Sequence, residues 1–137
     1  MASRSLEDLD PKVQPHAHAF IDGCKARGVD LLVTCTYRSG EEQNALYAIG
    51  RTQPGHKVTN AKAGQSFHQY RVALDVVPMV HGKPDWSGTS EAWKIAGEEG
   101  LKAGFEWGAK WLSFPERAHF QMRFGLSLAD FQAGKTP

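Results

Sequence analysis

The stretch that decides the fold of this chain is SFHQYRVALDVV, which spans residues 66–77. Its second half, residues 72–77, is rich in β-branched and apolar residues and predicts a central β-strand. Alternation along this strand places Asp75 on one face and Leu74 and Val76 on the other. A carboxylate inside so apolar a strand is costly to bury unless it is paired or bound to a metal. The alternative is a buried Asp75 that is held by backbone hydrogen bonds.

A second informative segment is Glu116-Arg117-Ala118-His119, which lies in and after a predicted turn at Pro115. On a continuous strand Glu116 and His119 would point to opposite faces, but a turn allows Glu116 to bend over the same site as His119. Together with His68 and Asp75, the segment could supply two imidazoles and one carboxylate to a metal. Three protein ligands leave a tetrahedral zinc open to water, and a spare glutamate is the general base that a zinc hydrolase needs. The alternative is an exposed Glu116 and an incidental His119, because ExxH occurs often by chance.

Capping residues and periodicity predict the remaining elements. Ser39 and Glu42 match a capping box, Ser90 is a helix N-cap, and Pro15 marks a second possible start for the first helix. Helices are predicted over residues 11–28, 40–50 and 91–104, and strands over residues 31–37, 72–77, 105–107 and 118–124. Residues 51–65 form a long ordered loop, and residues 81–84 a hairpin-like turn. We expect one α+β domain over residues 1–137, with a small mixed or antiparallel sheet flanked by helices, a core from about residue 11 to 125 and a short C-terminal tail.

Composition and charge limit the class of partner. The 137 residues are 41% hydrophobic and 10% aromatic, which is enough for one core. The net charge is +1, from 16 basic and 15 acidic residues that are scattered along the chain. This balance argues against nucleic acid or a membrane surface as the principal partner, and we expect a monomer.

The N-terminus and the cysteines indicate the compartment. Residues 1–8 include the charged Arg4, Glu7 and Asp8 and are followed by no apolar segment, so neither a signal peptide nor a membrane span is predicted. We expect the protein to remain in the cytoplasm until another factor releases it. Cys24 and Cys35 lack CxxC spacing and are expected to be free, buried thiols.

An ordered series of short motifs carries a family resemblance from about Val13 to Arg123. The series is TYRS (36–39), EQ (42–43), GRT (50–52), VTNA (58–61), SFH through ALD (66–75), FEWG (105–108), Trp111 and Glu116 through HFQ (119–121). In this order the motifs resemble the zinc peptidases that cut peptidoglycan stem peptides, the D-alanyl-D-alanine carboxypeptidase family. The resemblance is strongest to its L-alanyl-D-glutamate endopeptidase branch, which includes many phage endolysins.

The resemblance implies an α+β fold of the kind shared with Hedgehog signalling domains. It also implies that Zn²⁺ is the only cofactor and that His68, Asp75 and His119 hold it. Glu116 then matches the general base of the family.

Further residues match positions around the family's cleft. Arg38 matches the arginine that binds substrate and polarises the scissile carbonyl, and Ser66 and Gln43 match supporting positions beside the substrate. Two positions depart from the family pattern, because Arg71 stands where many relatives have glycine and Lys110 where many have an acidic residue. These departures concern loop shape and charge near the cleft, since neither position supplies a ligand.

The expected function is that of a zinc-dependent endolysin that cleaves the L-alanyl-D-glutamate bond of the peptidoglycan stem peptide. Without a signal peptide, such an enzyme would reach the wall after release by a holin, and the absence of a wall-binding module suits a Gram-negative host. A first alternative is a D-alanyl-D-alanine carboxypeptidase or dipeptidase on the same scaffold. A more distant one is a non-catalytic, zinc-containing module that binds the cell wall.

Overall fold

The computed structural model describes residues 2–112 and 115–137, and it shows an antiparallel sheet with helices. The strands are β1 (Asp30–Cys35), β2 (Ala73–Val80), β3 (Lys83–Pro84), β4 (Glu106–Trp107) and β5 (His119–Gln121). The helices are α1 (Gln14–Ala26), α2 (Gly40–Ala48), α3 (Glu91–Lys102) and α4 (Leu128–Gln132). The strand order is β1-β2-β5-β4, and β3 pairs with β2 as the second arm of a hairpin. The predicted α+β class is confirmed, and every described strand pair is antiparallel.

The core lies between one face of the sheet and the helices α1 and α3. Phe20 of α1 packs against the ring of Phe120 in β5, with 4.6 Å between ring centroids. Leu74 and Val76 are fully buried in this core, as the alternation along β2 predicted. A Cβ atom at Gly100 would overlap the ring of Phe120, so this glycine lets α3 approach the sheet closely.

Some element boundaries differ from the predicted ones. Helix α1 has Pro15 in its first turn, which selects the later of the two predicted starts. The capping box of Ser39 and Glu42 is formed at the start of α2. Strand β5 ends at Gln121 instead of residue 124, because the chain turns at Phe124, whose φ is 54°.

The buried core also extends past the range of residues 11–125 that the sequence indicated. Leu9 is 2% exposed and Phe131 of α4 is 4% exposed. The ring of Phe131 contacts those of Phe67 and Tyr70, with centroids 5.7 and 5.4 Å apart. Part of the predicted C-terminal tail is therefore a helix that supports the turn at residues 67–70.

No helix in the described part of the chain combines the length and the apolar character that a membrane span requires.

Candidate active site

The register of the sheet places three polar side chains in one row. Asp75 of β2 is paired with Cys35 of β1 on one side and with His119 of β5 on the other. Residues paired directly across strands point to the same face. Because the neighbouring pair Leu74 and Phe120 faces the core, this row lies on the opposite face of the sheet.

His68 reaches the same row from a short 3₁₀ turn, Phe67–Tyr70. Ser66 caps this turn by accepting a hydrogen bond from the His68 N–H, and Gln69 Oε1 accepts a hydrogen bond from the Ser66 N–H. The turn ends at Arg71, whose φ of 64° is in the left-handed region that favours glycine. The Arg71 guanidinium lies 4.0 Å from the ring centroid of Tyr37 and donates to the Asp8 carbonyl oxygen at 2.9 Å. Although Arg71 stands where many relatives have glycine, its backbone has a conformation that glycine also adopts.

Both predicted histidine ligands contact the predicted carboxylate ligand. Asp75 Oδ1 lies 3.2 Å from His68 Nε2 and 3.2 Å from His119 Nδ1. Two ligands at bond lengths of about 2.0–2.1 Å around a tetrahedral zinc are about 3.3 Å apart. Two imidazole nitrogens and one carboxylate oxygen are donors that zinc takes, and each histidine nitrogen lies at about the distance from Asp75 Oδ1 that a shared zinc would require.

The other ring nitrogen of each histidine has a hydrogen-bond partner, which leaves the nitrogen that faces Asp75 free to bind a metal. His68 Nδ1 lies 2.8 Å from the Thr36 carbonyl oxygen, which can only accept a hydrogen bond, so Nδ1 carries the proton. His119 Nε2 lies 2.8 Å from Gln121 Oε1. Both histidines therefore present an unprotonated nitrogen toward Asp75 when they are neutral, and hydrogen bonds of this kind orient metal-binding histidines.

Cys35 forms a second possible group with His68 and Asp75, whose donor atoms lie within 4.8 Å of one another. Its sulfur lies 3.6 Å from His68 Nδ1, the nitrogen already bonded to Thr36. His68 Nε2, the other ring nitrogen, faces Asp75. A metal bound to Nε2 would lie on the side of the ring away from the Cys35 sulfur, so we do not include Cys35 in the proposed ligand set. Both Cys35 and Cys24 are free and buried, as predicted.

The electrostatics of the cluster favour positive charge beside Asp75. Burial opposes the charged form of His68, but the charge of Asp75 and a hydrogen bond to it dominate and raise the pKa of His68 to about 10. Burial would also raise the pKa of Asp75, but His68 and His119 hold it well below its usual value. The Asp75 carboxylate is thus ionised in a partly buried position. A bound metal cation would neutralise its charge in place of the protons on the histidines.

Glu116 stands beside the cluster because the chain turns between it and His119. The His119 N–H bonds the Glu116 carbonyl oxygen at 3.3 Å, and the Glu116 N–H bonds the Gly108 carbonyl oxygen at 3.0 Å. A Cβ atom at Gly108 would overlap the Glu116 carbonyl oxygen, so this close approach requires glycine. Burial raises the pKa of the Glu116 carboxyl above its usual value. A glutamate in such a position can accept and return a proton.

Arg38 and Gln43 form a linked pair on the wall of the cleft. Arg38 Nη2 lies 3.7 Å from Asp75 Oδ2, and Nη1 donates to Gln43 Oε1 at 3.0 Å. Gln43 is 1% exposed and donates to the Ala61 carbonyl oxygen at 2.8 Å, which ties helix α2 to the loop of residues 51–65. The described bonds of Gln43 and Ser66 are thus internal, and neither side chain's predicted role toward substrate is tested by them.

All seven predicted site residues line one cleft of about 800 Å³. They are Arg38, Gln43, Ser66, His68, Asp75, Glu116 and His119. Residues 58–61 of the long loop also line it, as does Trp111. The sequence-based assignment did not include Gln121 as the partner of His119, although its position two residues after the histidine on a strand indicates a shared face.

Comparison with known proteins identifies similar chains. Residues 59–122 match a protein family described as D-alanyl-D-alanine carboxypeptidase. The chain is 35% identical over 130 residues to the peptidoglycan L-alanyl-D-glutamate endopeptidase CwlK of Bacillus subtilis (strain 168), covering 84% of this chain and 74% of that protein. It is 29% identical over 127 residues to the L-alanyl-D-glutamate peptidase of Listeria phage A118, covering 89% of this chain and 42% of that protein. The chain therefore spans less than half the length of the phage relative.

The fold is shared with a solved structure of lower identity. The vancomycin resistance D,D-pentapeptidase VanY from the VanB-type cassette, in complex with Zn(II), superposes with a TM-score of 0.63. The two chains are 19% identical, and the match covers 83% of this chain and 72% of the other. At this identity the likeness concerns the fold.

Proposed function

This chain belongs to the M15 family of metallopeptidases, and we propose that it is a zinc-dependent endopeptidase that cleaves the L-alanyl-D-glutamate bond of the peptidoglycan stem peptide. The observation that carries the proposal is the convergence of His68, Asp75, His119 and Glu116 on one cleft. Similarity to two proteins named for this bond supports the choice of substrate.

The proposed mechanism assigns roles to the three metal ligands, to Glu116 and to Arg38. Zinc, when bound by His68 Nε2, Asp75 Oδ1 and His119 Nδ1, would supply a Lewis acid for the peptide carbonyl and would lower the pKa of a water molecule. Glu116 takes a proton from the attacking water and passes it to the leaving amine, and its raised pKa suits it to hold the proton between the two steps. Arg38 provides a positive charge on the cleft wall, where it stabilises the negative charge that develops on the carbonyl oxygen.

Digestion of purified peptidoglycan tests the bond that is cleaved. The proposal requires new N-terminal D-glutamate in the products, with L-alanine retained on the muramic acid. The second candidate, a D-alanyl-D-alanine carboxypeptidase, is favoured by the description of the family that matches residues 59–122 and would release free D-alanine. No product of either kind would favour a wall-binding module without catalysis.

Metal content tests the ligand set independently of activity. We expect one zinc per chain by elemental analysis, and loss of most of it in His68→Ala, Asp75→Ala and His119→Ala. His81→Ala is the matched control, because His81 is an exposed histidine outside the cleft. Full zinc content in His119→Ala would refute the assignment.

The role of Glu116 is separable from metal binding. Glu116→Gln should keep its zinc while turnover falls about 10²- to 10⁴-fold, the usual cost of removing a general base. Glu91→Gln, an exposed glutamate on α3, should leave both unchanged. Normal turnover in Glu116→Gln would contradict the mechanism.

We further propose an endolysin role, in which a monomer accumulates in the cytoplasm and reaches the wall after holin-type release. Similarity to a phage peptidase supports this role. Cells that express the protein should lyse when a holin is co-expressed and should remain intact without it. Lysis by holin plus Glu116→Gln at the wild-type rate would show that the enzyme does not cause it.

A further inference from the structure

Two arginine side chains line the cleft, and they differ in how they are paired. Arg38 is committed to Gln43 and Asp75, at 3.0 and 3.7 Å. Arg117 is exposed, and among the residues that the structure describes its guanidinium has no hydrogen-bond or ion-pair partner. Arg117 is therefore a cleft-lining cation whose guanidinium is not paired with another side chain in the described part of the chain.

The base of the Arg117 side chain is nevertheless fixed in place. Its carbonyl oxygen accepts a hydrogen bond from Trp107 Nε1 at 2.7 Å, and the Trp107 ring stacks on Phe120 with an interplanar angle of 5°. The side chain passes close to Gly88, where a Cβ atom would lie 2.6 Å from Arg117 Cδ. The backbone is thus held, and the guanidinium also rests against Gly88, with Nε 3.2 Å and Nη1 3.5 Å from the same Cβ position, while Arg117 lines the cleft.

The proposed substrate carries an anion close to the scissile bond. In the stem peptide, D-glutamate is joined to the next residue through its side-chain carboxyl, so its α-carboxylate is free. This carboxylate is attached to the same carbon as the leaving nitrogen, to which Glu116 delivers a proton. Glu116 and Asp75 line the same cleft and would repel the carboxylate, so an additional cation on the leaving side would favour productive binding.

We propose that Arg117 is a specificity-determining residue that binds the free α-carboxylate of the D-glutamate on the leaving side of the scissile bond. This inference rests on the proposed function. Arg117 directly follows Glu116 in the chain, so the group that binds the carboxylate and the group that protonates the adjacent nitrogen are carried on the same turn. A guanidinium also matches a carboxylate in geometry, because it can donate two parallel hydrogen bonds.

Two substrates that differ in one group test the inference. The first is the L-Ala-γ-D-Glu-containing stem tripeptide, and the second is the same peptide with the α-carboxylate converted to an amide, as D-isoglutamine. Wild-type enzyme should prefer the carboxylate form. Arg117→Gln should lower kcat/KM for that form by about 10- to 100-fold, mainly through KM, as expected for loss of a hydrogen bond to a charged group. Its kcat/KM for the amide form should change by less than about 2-fold, and Arg117→Lys should restore part of the preference.

Controls separate this inference from the proposed function. Lys110→Gln removes a nearby exposed cation that does not line the cleft, and it should keep the wild-type preference. Equal cleavage of both peptides by wild-type enzyme would overturn the role of Arg117 while leaving the proposed bond intact. An equal loss on both peptides in Arg117→Gln would also overturn it, since that result indicates a structural role. Cleavage of neither peptide by wild-type enzyme would refute the proposed function itself.

Discussion

Replacing Gln121 by alanine removes the acceptor that orients one proposed zinc ligand. Gln121 Oε1 lies 2.8 Å from His119 Nε2, and the Gln121 side chain is buried, at 4% exposure. The substitution leaves the ring Nε2–H of His119 without its acceptor, and the ring is then free to turn its Nδ1 away from Asp75. We expect weaker zinc binding with the three ligands still present.

The size of the effect follows from the environment of this bond. A buried donor left without a partner costs about 1–3 kcal/mol. Loss of a group that orients a metal-binding histidine weakens metal binding about 10- to 100-fold. A 10- to 100-fold weaker affinity corresponds to about 1.4–2.7 kcal/mol, which agrees with the cost of leaving the donor without a partner. We therefore expect the zinc Kd of Gln121→Ala to rise about 10- to 100-fold.

Competition with a chromogenic chelator measures this Kd without any substrate. Gln43→Ala is the matched control, because Gln43 is also a buried glutamine in the cleft but bonds Arg38 and Ala61 instead of a ligand. It should change the zinc Kd by less than about 3-fold, since it removes no bond to a ligand. An unchanged Kd in Gln121→Ala, or equal losses in both variants, would refute the orienting role of Gln121.

Substitutions at three further positions test the supporting structure. Gly108→Ala should push back the backbone of Glu116 and lower kcat by about 10²-fold, with zinc content unchanged in elemental analysis, because small displacements of catalytic groups are that costly. Arg71→Val should lower the free energy of unfolding in urea by about 1–3 kcal/mol, because a β-branched residue is strained at a φ of 64°, while Arg71→Gly should cost less. Hydrogen bonds from Ser127 and Lys135 lower the pKa of Asp130, so its stabilising contribution is complete above about pH 4 and is lost as the pH falls through the lowered value. The stability difference between wild type and Asp130→Asn should therefore shrink in acid, and a difference that is constant from pH 7 to pH 2 would contradict the shift.

The sequence was sufficient to predict the strand with Asp75 and the turn with Glu116, because both depend on local patterns. Alternation with a period of two separates Asp75 from the core-facing Leu74 and Val76. The hydrogen bond from the His119 N–H to the Glu116 carbonyl oxygen closes the expected turn. Features of this kind involve residues within a few positions of one another, so one segment contains the information that determines them.

The helix α4 was not predicted, because its stability depends on a distant contact. Five residues are too few for a stable isolated helix, and Phe131 is the one buried residue of α4. Its ring packs on Phe67 and Tyr70, about 60 residues earlier in the chain, and no local pattern indicates that pairing. The capping box formed by Ser127 and Asp130 was a local signal that could have marked the start of the helix.

The position of Cys35 shows why a ligand set cannot be assigned from strand positions alone. A register shift between Val33 and Cys35 brings Cys35 into the row of Asp75 and His119, and such an irregularity has no period that a sequence displays. The row alone would offer a thiol, a carboxylate and an imidazole to a metal. The hydrogen bond from His68 Nδ1 to Thr36 favours the set with His119, because it directs the free nitrogen of His68 toward Asp75 and leaves Cys35 beside the protonated one. A cobalt-substituted protein should therefore lack thiolate-to-metal charge-transfer absorption, and strong absorption of that kind, lost in Cys35→Ser, would place the sulfur among the ligands.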